Sequence, residues 1–143
     1  MSREVNYLGI ARKAGALVTG EENSGIEIRA GHAKLLALAS DASDNARARA
    51  QNFLRGGKVP WTVLPLTKQE ISDATGRNGC SMAVFTDVGL ACSFAEALCA
   101  EYGEQYSELA GELRRRNDAA AQRRKEKLAH QRNRKQGKRR SNV

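Results

Sequence analysis

The chain is short of several things at once. Aromatic residues occupy 5% of its 143 positions, and there are two prolines, two histidines and three cysteines. So few aromatics leave room for one modest core, built from aliphatic side chains and alanine. The longest uninterrupted apolar run is Leu35–Ala39, far short of the ~20 residues that a membrane-spanning helix needs; no membrane partner is expected. Met1-Ser-Arg-Glu-Val5 carries base and acid with no apolar stretch behind it, and does not read as a signal peptide. Cys80, Cys92 and Cys99 show no CxxC spacing, which argues against a disulfide framework and against zinc. An odd number of thiols suits a reducing cytoplasm. His32 and His130 alone give a metal centre or a catalytic triad little to work with. Gly56-Gly-Lys58 lacks the spacing and the hydroxyl of a phosphate loop. No catalytic residue, cofactor or metal is therefore expected.

Charge is present in quantity and is unevenly placed. The formal net charge is +8, but residues 113–143 hold 13 Lys/Arg against two acids, while residues 1–112 hold 11 against 14. The basicity belongs to the C-terminal part. A polyanion is the partner such a segment fits. It has no aromatic after Tyr106, so it can grip a phosphate backbone but offers no base stacking.

Residues 3–14 have helical apolar spacing, with Ser2 before and Gly15 after. Ala16–Val18 reads as a very short strand. After a turn at Thr19-Gly20, residues 21–30 read as a helix with acids first and Arg29 last, matching the helix dipole. Residues 34–40 form an apolar run that fits a strand buried on both faces. A helix over 45–54 stops at Gly56-Gly57, and residues 59–64 read as a strand with Trp61 in the core or partly buried. Thr67-Lys-Gln-Glu70 has the capping-box pattern and opens a helix through Ala74. Residues 76–79 turn, 80–86 read as a strand, and Asp87 caps a helix to about Tyr102. Cys92 and Cys99, seven apart, are expected to face the core. Strands alternating with helices predict an α/β fold, a three-layer α/β/α sandwich with a four-stranded central sheet. The expected division is a domain over 1–102 and an acidic-then-basic extension over 103–143. The glutamates at 96, 101, 104, 108 and 112 have no obvious compensating base. Leu128 is the one large apolar residue after Leu113, so this basic extension is expected to be partial helix or disordered.

Gly20 to Asp44 is the most informative stretch. A glycine turn places backbone N–H groups at a helix start, beside Glu22 and Asn23. One helix later Lys34 enters the apolar strand, and Ser40-Asp41 emerge from its far end. Helix starts and polar loops of this kind suit phosphate and base edges. Leu8-Gly-Ile-Ala-Arg-Lys-Ala-Gly15, Arg29-Ala-Gly31-His-Ala-Lys34, Ala39-Ser-Asp-Ala-Ser43, Gly76–Gly79 and Thr86-Asp87 form a linked set. Together they resemble the kink-turn RNA-binding superfamily of ribosomal proteins (the L-seven-Ae and L-thirty-e type), and in particular its bacterial YlxQ-like branch, over about residues 4–100. The resemblance implies a non-enzymatic α/β/α sandwich that binds a sharply bent RNA duplex with tandem sheared G·A pairs. It also implies contact residues: Gly20, Glu21, Glu22, Asn23, Lys34, Asp41 and the loop Arg77-Asn78-Gly79-Cys80-Ser81. Glu22 or Asn23 would read guanine edges, and Lys34 and Arg77 would take phosphates. One departure stands out: Ile26 occupies the slot in which the family carries a lysine. Tail phosphate contacts are expected from Arg114, Arg115, Arg116, Arg123, Arg124, Lys125, Lys138, Arg139 and Arg140. The expected partner is structured RNA, ribosomal RNA or the ribosome, bound by a monomer. A protein–protein module of the same fold, associated with translation, is the alternative.

Overall fold

The short run Met-Ala-Val-Phe and the leucine-rich run before it become the middle of a sheet. The computed structural model describes residues 2–78 and 80–141, with side chains up to residue 135. β2 (Leu35–Leu38) and β4 (Met82–Phe85) are buried at every position, so both faces of the sheet are covered. β1 (Leu17–Thr19) and β3 (Trp61–Val63) are the edges, giving the order β1-β4-β2-β3. β2 and β3 run parallel, whereas β4 is antiparallel to both β1 and β2. Among the described residues the fold is mixed α/β, mostly helical, with this one four-stranded sheet and six α-helices: α1 (Arg3–Lys13), α2 (Glu21–Arg29), α3 (Asp44–Leu54), α4 (Lys68–Thr75), α5 (Val88–Tyr102) and α6 (Ser107–Ser141).

Local chemistry sets the helix ends. Ser43 caps α3 by accepting the Ala46 N–H at 3.1 Å. Thr67 and Glu70 form the full capping box at α4. The Asp87 carboxylate accepts the Leu90 N–H at 3.0 Å and opens α5. Each such cap contributes about 1 kcal/mol. Ser2 precedes α1 but makes no side-chain cap. α2 packs on β1, β4 and α3, while α1 packs on α4, α5 and β1.

Two expectations need correction, the extent of β3 with the burial of Trp61, and the lack of bases for the late glutamates. β3 is shorter than residues 59–64, and Trp61, expected in the core or partly buried, is 45% exposed, because β3 is an edge strand of the sheet. Cys92 and Cys99 both face the core as expected, Cys92 buried in it and Cys99 partly buried against it. The C-terminal segment takes the helical alternative, as one helix from Ser107 to Ser141. Leu113 is fully buried, and Leu109 and Ala110 pack against the core. Glu112 pairs with Arg115 and Arg116, each at 2.8 Å, and Glu96 on α5 pairs with Arg114. Two of the five glutamates thus have bases, one of them across two helices.

Gly25 has a reason that the local sequence hides. A Cβ there would meet the Phe53 ring of α3 at 2.7 Å. The guanidinium groups of Arg29 and Arg49 also approach that ring, 6.0 and 5.8 Å from its centre. Close approach of α2 and α3 therefore outweighs the helix propensity lost to glycine. Gly25→Ala in a Phe53→Ala background is expected to stabilise by about 0.5–1 kcal/mol. In the natural background it should gain nothing or destabilise, giving a coupling near 1 kcal/mol in urea denaturation. Equal effects in both backgrounds would remove Phe53 as the cause.

Candidate nucleic-acid interface

Antiparallel pairing of β1 with β4 sets Thr19 opposite Ala83. The chain leaving β1 and the chain entering β4 therefore lie side by side, joined by the Gly20 N–H donating to the Met82 carbonyl at 2.9 Å. Gly20 has φ of +97°, a conformation that side chains strongly disfavour. α2 starts at the next residue with no side-chain cap, so its first-turn N–H groups and positive dipole end lie at this corner. Asn23 is exposed there, its Nδ2 donating to the Thr19 carbonyl at 3.4 Å.

The second corner follows α4. Gly76 ends that helix in the left-handed region, φ +72°. Buried Cys80 then holds the loop: its Sγ donates to the Arg77 carbonyl at 3.5 Å and lies 3.8 Å from Thr75 Oγ1. Arg77 and Asn78 stay exposed. Thr19, Gly20, Asn23, Arg77 and Asn78 line one open cleft of about 360 Å³. Arg12, from the last turn of α1, lines it too. The residues alone did not single it out, although it lies within Leu8–Gly15.

Not every expected contact residue meets there. Glu22 is exposed on the first turn of α2. Glu21 is bound to Arg49 of α3 at 2.8 Å. Asp41 lies at the same end of the sheet, where its Oδ1 accepts the Lys68 N–H at 2.8 Å and so caps α4. Cys80 points inward and Ser81 is half-buried. Gly79 lies outside the described residues. Lys34 is at the opposite end of the strands, its N–H donating to the Phe85 carbonyl at 2.7 Å. It lines a recess with Gly15, His32 and Thr86, and another with Lys58, Arg116 and Arg123. Ile26 is 49% exposed on the outer face of α2, one turn beyond Glu22.

Of the expected tail contacts, Arg114, Arg115 and Arg116 are engaged by glutamates. Arg123, Arg124 and Lys125 are exposed. The side chains of Lys138, Arg139 and Arg140 lie outside the described residues. His32 is exposed and 3.0 Å from Glu27. The Cys92 thiol is pushed up to about 11, first by burial and then by its hydrogen bond to Glu96, so it stays protonated at neutral pH and is a poor nucleophile. Among the described residues, no group of acidic, His or Cys side chains is arranged to hold a metal, and no helix is long and apolar enough to cross a membrane.

Among the described residues, fold and cleft together define a small mixed α/β protein with an open polar rim. No protein-family model matches the chain. RNA-binding protein YlxQ of Enterococcus faecium is 33% identical over 75 residues, which cover 52% of this chain and 72% of that relative. A solved structure from Bacillus halodurans C, a protein with unknown function, superposes with a TM-score of 0.63 at 23% identity, over 68% of this chain and 98% of that one. The Giardia lamblia 15.5kD RNA binding protein does so with a TM-score of 0.53 at 17% identity, over 66% and 80%. These two likenesses are of fold alone. The chain belongs to the YlxQ family.

The tie between α5 and α6 should be visible in acid. Arg114, and after it the Cys92 thiol, hold the Glu96 carboxyl below its ordinary range. A carboxyl lowered on folding stabilises above its unfolded value, near about 4.3; that stabilisation is lost as pH falls through the folded value. The natural chain should therefore lose stability on acidification more steeply than an Arg114→Gln variant. Coincident acid profiles by circular dichroism would contradict the tie.

Proposed function

We propose that this chain is a non-enzymatic RNA-binding protein that receives a sharply bent, structured RNA at the rim formed by the Gly20 and Gly76 corners. One observation carries the proposal: Gly20, Asn23, Arg77 and Asn78, distant in sequence, share one cleft with Arg12. Such a cleft offers amide and side-chain donors to base edges and two guanidinium groups to phosphates. Glu22 or Asn23 reads guanine edges, and Arg77 takes phosphate. Similarity to a relative named RNA-binding protein YlxQ supports the same reading.

The tertiary frame fits this role. With β2 and β4 buried throughout, we infer that α2 and α3 cover one face of the sheet and α1, α4 and α5 the other, making a three-layer sandwich. Residues 1–102 are then the recognising domain, and 103–143 the extension that adds affinity for phosphates. Its exposed cations, Arg123, Arg124 and Lys125, compensate for Ile26 in the usual lysine slot. Ribosomal RNA or the ribosome is the partner of choice, met in the cytoplasm by a monomer.

Filter binding against a kink-turn duplex, a straight duplex and a single strand tests the proposal. The kinked RNA is expected to bind at least tenfold more tightly than the straight duplex. Arg77→Ala should erode that preference. Replacing Arg123, Arg124 and Lys125 by Gln should weaken all three RNAs alike and flatten the salt dependence by about 0.9 log unit per lost duplex phosphate contact. Equal affinity for all three RNAs, abolished by the α6 substitutions, would reduce the rim to a bystander.

A further inference from the structure

We propose a second RNA contact, separate from the rim: a groove beside Trp61 that stacks an unpaired base and holds its flanking phosphates. It rests on the RNA-binding reading above but concerns the opposite end of the sheet. Trp61 is the chain's one tryptophan, and it stands 45% exposed on the edge strand β3. A groove of about 540 Å³ runs beside it, lined in part by Gln51, Leu54, Arg55, Lys58 and Arg116. An adjoining recess of about 320 Å³ shares Lys58 and Arg116 and adds Lys34 and Arg123. Five cations from three segments, Lys34 before β2, Arg55 and Lys58 between α3 and β3, and Arg116 and Arg123 on α6, thus line the two adjoining spaces beside one indole.

Arg116 braces this trough. Its Nη2 donates to the Lys58 carbonyl at 2.7 Å, and its Nε donates to Glu112 at 2.8 Å. Glu112, the carboxylate lining the groove, is also bound by Arg115 at 2.8 Å, so its charge is offset. Arg55, Lys58, Lys34 and Arg123 then face solvent or recess with a positive excess. An aromatic face flanked by cations is the arrangement that captures single-stranded nucleic acid, because every base offers a π-face and every linkage a phosphate. An acidic peptide would use the cations and leave the indole without a role. The arrangement also gives Lys34 a function: it belongs to this trough instead of the rim.

Trp61 reports on the groove through its own fluorescence. Hexaadenylate is expected to quench the emission of the full chain, and Arg55→Ala with Lys58→Ala should weaken that quenching at least fivefold. In anisotropy titrations, Trp61→Leu should lower affinity for a kinked duplex carrying a six-nucleotide single-stranded extension by about tenfold. The blunt kinked duplex should change by less than twofold. Unquenched emission, equal losses on both RNAs, or equal quenching by hexaglutamate would each overturn the proposal. If Trp61→Leu proves misfolded by circular dichroism, quenching in the Arg55/Lys58 variant decides. Failure of the blunt kinked duplex to bind the natural chain, with hexaadenylate still quenching, would remove the rim and leave the groove standing.

Discussion

Antiparallel pairing between β1 and β4 is the constraint on which the rest depends. Each of these strands is short, and their register sets where each ends. With Thr19 opposite Ala83 and Leu17 opposite Phe85, Gly20 can fall only beside the approach to Met82. A slip of one residue would turn buried side chains to the other face of the sheet, and it would part the Gly20 corner from the Arg77 loop. The backbone bond from Gly20 to Met82 closes that arrangement. Everything polar at the rim is then carried on helix starts and loops that the buried sheet holds still, the usual division between scaffold and binding surface.

The same register separates charge into two places. One end of the sheet presents Arg12 and Arg77 around a cleft with polar neighbours. The other presents Lys34 and Lys58 under α6. α6 is no passive appendage, because Leu113 is buried and Arg116 ties it to the turn before β3. Its first turns spend their arginines on glutamates, whereas its later turns leave Arg123, Arg124 and Lys125 to solvent. Exposed ion pairs of this kind contribute little stability one by one, so apolar packing anchors the helix and the pairs orient it.

Punctuation was the most legible feature of the sequence. Gly15, Gly31 and Gly76 follow helices with positive φ, as glycine after a helix suggests, and the Thr67–Glu70 box appears as its pattern predicts. Apolar runs marked the two central strands. Contacts between distant segments were not legible. The place of Trp61 depends on sheet order, which is not the order of the chain. Lys34 and Asp41 flank the same strand and so belong to opposite ends, a consequence of strand length that motif spacing does not express. Gly25 answers to Phe53, 28 positions away in the chain. The extension looked unsupported because it lacks an apolar stripe after Leu113, yet the Glu96–Arg114 pair adds a contact between helices that no local pattern reveals. Arg12 was hidden inside a stretch that reads first as a structural helix.

Backbone amide shifts during titration with a kink-turn duplex test the central claim most directly. At the first substoichiometric additions, the amides of Gly20–Asn23 and of Arg77–Ser81 should move together and saturate at one common affinity. Shifts confined to α6, or two corners responding at different affinities, would show that the bends do not form one surface.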